Sequence, residues 1–156
     1  MRNLLKKIGM GIALVLSFSA HAQTCTVSSL PVTFGSYDPF SSTASDISGT
    51  VTVTCNALVS LLVSYTVKLN EGLNGTMSAR KMTNGSSLLS YQLYSNSGRT
   101  TVWGDGTSGS SIVNDGYLIS VIAPVIRNYS VYGRISARQN VNAGSYVDTV
   151  TILLTY

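Results

Sequence analysis

The stretch YSVYGRISARQNVNAGSYVDTVTILLTY, residues 129–156, decides the fold. Two segments of alternating polar and apolar residues flank a turn-rich link at residues 139–145, and a period of two is typical of half-buried strands. In the second segment one face carries Val150, Ile152, Leu154 and Tyr156, while the other carries Thr149, Thr151 and Thr155, with Leu153 its only apolar member. We expect a core strand at the end of the chain with an unpaired edge, which a sheet protein must protect or use.

Strand patterns recur along the rest of the chain, with Gly, Ser, Asn and Asp between them. The predicted strands are Thr26–Phe34, Gly49–Cys55, Val59–Leu69, Leu88–Ser95, Arg99–Trp103, Tyr117–Ile126, Tyr129–Ala137 and Tyr146–Tyr156, and Thr76–Thr83 is open between a short strand and paired turns. Residues 35–48 and 104–116 are expected to be loops, the second a mobile one. About eight short strands without a helix pattern indicate an all-β, immunoglobulin-like sandwich.

The same alternation predicts which side chains face the core. Inward positions are expected at Leu30, Val32, Phe34, Val51, Val53, Cys55, Leu61, Val63, Val67, Leu69, Leu89 and Leu93. Among the aromatic residues, Tyr65, Tyr91 and Tyr129 fall on inward faces, whereas Tyr37, Tyr94 and Trp103 do not.

The N-terminus carries a secretory signal pattern. Arg2, Lys6 and Lys7 precede the apolar run Ile8–Phe18, and Ala20-His21-Ala22 forms a small-residue cleavage site. We therefore predict a signal peptide at residues 1–22 and one mature domain at residues 23–156. The apolar run is too short to span a membrane, so we expect no membrane span.

Export also constrains the charge and the cysteines. The signal holds three of the ten basic residues and no acidic residue, which leaves a nearly neutral domain with no basic patch for nucleic acid. Cys25 and Cys55 remain, and an even count in an oxidising compartment predicts a disulfide between them.

Nothing in the sequence favours an enzyme. The only histidine, His21, lies in the signal, so the mature chain has no histidine base for a nucleophile and no histidine ligand for zinc. Residues 104–109 match GxGxxG as a string but do not open a helix, which indicates a turn rather than a cofactor site. Asp105 and Asp115 lack the spacing of a calcium loop, and no carboxylate pair stands out. We expect no cofactor and no metal.

Several polar motifs have a simpler explanation. Asn74-Gly75-Thr76, Asn84-Gly85-Ser86 and Asn128-Tyr129-Ser130 are formal glycosylation sequons, but the two Asn-Gly pairs are typical of hairpin turns. The nine tyrosines and single tryptophan suit either a sugar-stacking surface or, as we favour, the packing of the core and sheet faces.

Most of the mature chain resembles the spore coat protein U family, which includes subunits of archaic chaperone–usher pili. The matching segments are residues 25–27, 34–39, 49–55, Arg80, Met82, residues 88–94, residues 100–106 (TTVWGDG), and residues 131–135 through Tyr156. The resemblance implies an immunoglobulin-like domain that lacks its last strand. It also implies a periplasmic chaperone that covers the gap, an outer-membrane usher and other pilus subunits as partners, and export to the cell surface.

On this interpretation the strand that completes the fold comes from another molecule by β-strand addition. The strand-exchange and chaperone interface is expected at Val150, Ile152, Leu154 and Tyr156. Only Gln23 and Thr24 would precede Cys25 after cleavage, so a further expectation is a terminal, tip-type subunit that accepts a strand and donates none. The alternative function is a stand-alone secreted β-sandwich that binds surfaces or carbohydrate.

Overall fold

A computed structural model describes residues 23–57, 61–119 and 123–156. The strands of this part are β1 (Gln23–Leu30), β2 (Ser45–Ala57), β3 (Leu61–Leu69), β4 (Arg80–Asn84), β5 (Ser87–Tyr94), β6 (Val113–Ile119), β7 (Val125–Ile135) and β8 (Ile152–Thr155). These ranges contain no helix long and apolar enough to cross a membrane. The predicted signal at residues 1–22, with His21, lies outside the described residues, so the signal and the domain boundary stay predictions.

The eight strands form two antiparallel sheets. The first has five strands in the order β1-β2-β7-β5-β4, and the second has three in the order β6-β3-β8. Consecutive strands such as β1 and β2 pair directly, whereas β7 crosses back to lie between β2 and β5. The all-β, immunoglobulin-like sandwich predicted from the sequence is confirmed.

The core lies between the sheets and follows the predicted alternation. In β2, Val51, Val53 and Cys55 are at most 2% exposed, while the threonines between them face outward. Side chains from both sheets meet in this layer, and the most completely buried are Trp103, Arg80, Tyr65, Ile135, Val51, Val53, Val63, Val67 and Cys55. Because β-branched side chains pack well on a pleated surface, the valine-rich strands suit this layer.

Several predicted strand bounds are wrong, among them those of the first strand and of the segment 99–103. The first ends at Leu30 rather than Phe34, because Pro31 has no N–H to continue the ladder with β2. The segment 99–103 forms only isolated bridges at Val102 and Trp103. Arg99 has a φ of 53°, which interrupts an extended run at its start.

The prediction that Trp103 lies off the inward faces is wrong. Its side chain is fully buried, its indole Nε1–H donates to the Val67 carbonyl oxygen at 3.1 Å, and its ring meets that of Tyr129 edge-on at 6.4 Å between centroids. The residue lies in a connection rather than in a regular strand, so period-two alternation does not report its direction.

The predicted disulfide is formed between the first two strands. Cys25 and Cys55 are opposite each other in the β1–β2 register, and the bond joins residues 30 apart in sequence. A loop of that length gives roughly 3–4 kcal/mol of stabilisation in the chain-entropy model. The bridge thus fixes the edge strand β1 to the interior of the five-stranded sheet.

A buried arginine organises the connections at one end of the sandwich. The Arg80 guanidinium is fully buried and donates from Nε and Nη2 to the Asn70 carbonyl at 3.1 and 2.7 Å. Nη2 also donates to the Trp103 carbonyl at 2.9 Å, and Nη1 donates to Gln92 Oε1. Burial lowers the pKa of Arg80. Arginine nonetheless stays protonated in proteins, so the oxygens of Asn70, Trp103 and Gln92 stabilise its buried positive charge in place of water.

We expect Arg80→Met to destabilise the domain by at least about 3 kcal/mol, because it leaves several buried acceptors without a donor. Lys81→Met is the matched control, since Lys81 is the next residue of β4 and is only partly buried. Urea unfolding of the exported protein measures both. Equal midpoints for the two variants would show that the Arg80 network contributes nothing.

Candidate functional site

A long apolar groove of about 990 Å³ runs between the two sheets at their open side. One wall is the segment 29–37, which begins with the last two residues of β1, and the other is the segment 141–150, which leads into β8. We call these the N-wall and the C-wall. The groove therefore lies where the first strand ends and the last strand begins.

The floor of the groove is the core itself. Both sheets contribute to it: Val51, Val131, Ile135, Leu89, Tyr91, Leu93 and Met82 come from the five-stranded sheet, and Leu69 comes from β3. Each of these side chains is less than one tenth exposed. A ligand on this floor would meet aliphatic and aromatic side chains.

Beyond Leu30, side chains rather than backbone pairing hold the N-wall. Val32 and Phe34 pack against the core, and the Phe34 ring meets the Tyr91 ring edge-on at 6.1 Å. Tyr37 donates its hydroxyl to the Ser136 carbonyl at 2.9 Å and accepts the Gln139 N–H at 2.8 Å. The β1–β2 ladder ends at Leu30, so the wall beyond it is attached through these contacts.

Gly133 of β7 makes room for the N-wall. A Cβ at this position would lie 2.6 Å from Val32 Cγ1 and 2.8 Å from Phe34 Cζ. Both distances are shorter than atoms can tolerate, so any other residue here must displace Val32 and Phe34. Glycine is thus required at position 133 because the side chains of Val32 and Phe34 lie close to the backbone of β7.

The C-wall is held in the same way. Asp148 accepts the Leu73 N–H at 2.9 Å and the Tyr91 hydroxyl at 2.6 Å. Burial, and then the hydrogen bond to Asp148, raise the pKa of Tyr91, which keeps it a donor. Tyr146 donates to Ser87 Oγ at 2.6 Å. One backbone bridge, between Val147 and Thr83, also ties this wall to β4.

The strand β8 is paired on one side only. Its four residues, Ile152–Thr155, pair with β3 at residues 66–69, and in the described part of the chain no other strand pairs with them. Just before it, Thr151 accepts the Asn70 N–H at 3.1 Å and donates its own N–H to Asn70 Oδ1 at 2.8 Å. The backbone edge of β8 away from β3 is therefore available to an added strand.

The structure separates the four predicted interface residues. Val150 and Ile152 line the groove, and Leu154 packs against the core without lining the groove. Tyr156 is 52% exposed, beyond the end of β8. Regular pairing starts at Ile152 rather than at Tyr146. The residues before Ile152 form the C-wall, and the side-chain contacts of Tyr146 and Asp148 set their positions.

Sequence reasoning missed most of the groove. The inward direction of Val32 and Phe34 was predicted, but Leu30 is 70% exposed and the role of the segment as a wall was not foreseen. Val141 and Tyr146 also pack against the core from a segment read as a turn-rich link and an early strand. The available signal was the Pro31 that ends the ladder, followed by residues that remain apolar at alternate positions.

The other candidate sites have local partners. Asp105 accepts the N–H and the hydroxyl of Thr107 at 2.8 and 2.7 Å, which lowers its pKa and closes the glycine-rich segment into a turn. Asp115 accepts the Tyr129 hydroxyl, and this bond lowers the pKa of Asp115. Among the described residues there is no group of three or more side chains of the kinds that bind metals.

Comparison with known proteins points to one family. A family model described as the Spore Coat Protein U domain matches residues 12–153. Protein U of Myxococcus xanthus is 34% identical over 132 residues, which is 79% of this chain and 70% of that protein.

A similar fold occurs in a solved complex. It is the crystal structure of the CsuC-CsuE chaperone-tip adhesion subunit pre-assembly complex from the archaic chaperone-usher Csu pili of Acinetobacter baumannii. A chain of that complex is similar with a TM-score of 0.57 and 22% identity, over 86% of this chain and 40% of that chain. This likeness is one of fold.

We expect Gly133→Val to push Val32 and Phe34 away from β7 and so to deform the groove. Gly85→Val is the control, because a Cβ at Gly85 meets nothing within 4 Å, although its φ of 61° adds some local strain. Limited proteolysis within residues 31–37 is the measurement. Faster cleavage in the Gly133 variant alone supports the steric role, and equal cleavage contradicts it.

Proposed function

This chain belongs to the spore coat protein U domain family, and on that premise we propose that it is a structural subunit of a chaperone–usher-assembled surface pilus or coat. The observation that carries the proposal is the apolar groove beside the unpaired edge of β8. An extended segment of another polypeptide would enter the groove and complete the sandwich.

Both the unpaired edge of β8 and the apolar floor of the groove suit the addition of a strand. The free N–H and C=O groups of β8 would give main-chain hydrogen bonds, and the apolar floor would accept alternate side chains. Burying about four such side chains at ~1.5–3 kcal/mol each contributes on the order of 10 kcal/mol before ordering costs. A gross gain of that order can offset the ordering costs of an assembly that must persist outside the cell.

The proposed partners follow from this mechanism. A periplasmic chaperone would occupy the groove during export, and an N-terminal strand of a neighbouring subunit would replace it in the fibre. An outer-membrane usher would carry the exchange, which would bring the protein to the cell surface. The likeness to a chain of a chaperone–subunit complex supports a chaperone and other pilus subunits as partners.

We expect Ile152→Asp to abolish capture by the cognate chaperone, because it places an unpaired charge on the groove face of β8. Leu153→Asp is the matched control, since Leu153 is the adjacent residue and is 56% exposed. The measurement is co-purification of the chaperone with each variant from the periplasm.

Two outcomes would contradict the strand-acceptor role. One is equal capture of the two aspartate variants. The other is recovery of the unaltered protein as a soluble monomer that unfolds cooperatively without any partner, which would favour the stand-alone β-sandwich that binds surfaces or carbohydrate.

We also propose a terminal place in the fibre, with a role in adhesion and biofilm formation. The description of the similar solved complex as one with a tip adhesion subunit supports this position. Gold-labelled antibody against this chain is expected to mark fibre ends in electron micrographs. Labelling spaced along the whole shaft would show a stalk subunit instead.

A further inference from the structure

The two Asn-Gly pairs of the chain lie in very different surroundings. Asn-Gly sequences are chemically labile when the backbone is free to turn, since glycine has no side chain to hinder attack on the asparagine amide. The surroundings of Gly75 and Gly85 therefore decide which pair reacts in the folded protein.

Gly85 lies in the turn that joins β4 to β5. Asn84 pairs with Ser87, so Gly85 and Ser86 form a two-residue turn, and Gly85 has a φ of 61°. Gly85 is exposed, and a Cβ built there meets no atom within 4 Å. No packed atom therefore encloses Gly85, and the turn is held only by its own strand pairing and by the Thr83 hydroxyl, which donates to the Gly85 carbonyl oxygen at 2.8 Å.

Gly75 is enclosed by backbone. A Cβ built there would lie 2.5 Å from the Ala79 carbonyl oxygen and 2.8 Å from Arg80 Cα. Thr76 and Ala79 exchange two backbone hydrogen bonds, of 3.1 and 3.0 Å, directly after it. The adjoining Arg80 is the buried centre of the network described above, so the peptide unit between Asn74 and Gly75 is locked.

We propose that Asn84 is a site of spontaneous deamidation in the folded protein and that Asn74 is protected from it. The Gly85 backbone nitrogen attacks Asn84 Cγ and forms a five-membered succinimide, while the side-chain amide leaves as ammonia. Water then opens the ring on either side and gives aspartate or isoaspartate. No oxidant or reductant takes part.

The reaction would change the edge of the groove. Asn84 Nδ2 donates to the Ala143 carbonyl oxygen at 3.4 Å, a long and therefore weak bond, and it lies beside Gly144, where a Cβ would be only 2.0 Å from this nitrogen. Ala143 and Gly144 belong to the C-wall. A carboxylate at position 84 has no proton to donate, so it would repel the Ala143 carbonyl and free this part of the wall. The proposal does not depend on what the groove binds.

Trypsin separates the two sites. Cleavage after Lys68, Arg80, Lys81 and Arg99 places Asn74 in the peptide 69–80 and Asn84 in the peptide 82–99. The exported protein, with any partner it retains, is incubated in mildly alkaline buffer, once folded and once in urea, and fragment masses locate the converted residue.

In the folded protein we expect Asn84 to convert at least about tenfold faster than Asn74, a ratio that corresponds to ~1.4 kcal/mol in the barrier. In urea the two rates are expected to be similar. Similar rates in the folded protein, or an intact Asn84 in the fold while urea converts both, would overturn the proposal.

A second measurement tests the effect on the wall. We expect Asn84→Asp to speed hydrogen exchange at the Val147 amide, which donates to the Thr83 carbonyl at 3.1 Å. Asn142→Asp is the control, because it adds the same charge on the exposed side next to Ala143. Equal exchange in both variants would show that the Asn84 contact does not hold the wall.

Discussion

The unpaired edge of β8 is the constraint on which the rest of the structure depends. A strand in a sandwich core needs hydrogen-bonding partners on both sides, because buried backbone groups without partners are costly. In the described residues β8 has one such partner, β3. The five-stranded sheet opposite is wider, so its apolar face extends beyond the three-stranded sheet and forms the groove floor.

The five-stranded sheet and the groove walls are held by different kinds of contact. Continuous ladders, the disulfide and the Arg80 network hold the five-stranded sheet and the Trp103 connection. Beyond the last ladder positions, the groove walls depend mainly on single side chains such as Tyr37, Tyr146 and Asp148. Local opening costs the least free energy where few such contacts must break. The groove walls therefore open more easily than the groove floor.

The sequence predicted those parts of the fold that regular alternation controls. The alternation in β2 and β3 correctly placed Val51, Val53 and Tyr65 in the core, since each strand there packs one face against the opposite sheet. Outside regular strands this logic fails. Trp103 is positioned by an indole hydrogen bond, and its burial was not predicted for that reason.

Alternation in the last segment predicted an unpaired strand edge, and the family resemblance implied a groove beside it, but neither identified the groove walls. Which residues form them depends on long-range contacts, such as those of Gly133 with Val32 and Phe34, that join segments far apart in sequence. Alternation of polar and apolar residues along one strand does not predict such contacts between distant segments. Val150 and Ile152 line the groove because they precede or begin a paired strand, whereas Tyr156 lies past the last pair and stays exposed.

The position of the disulfide has a mechanical consequence. Cys25 lies two residues after the start of β1, and its partner Cys55 lies in β2, which β1 and β7 flank on either side. Tension pulling on the chain ahead of Cys25 passes through a covalent bond directly into β2, the strand next to the edge of the sheet. The hydrogen bonds of the β1–β2 ladder after Cys25 are then shielded from shear, and the load is shared with the β2–β7 ladder, which is the longest among the described strands.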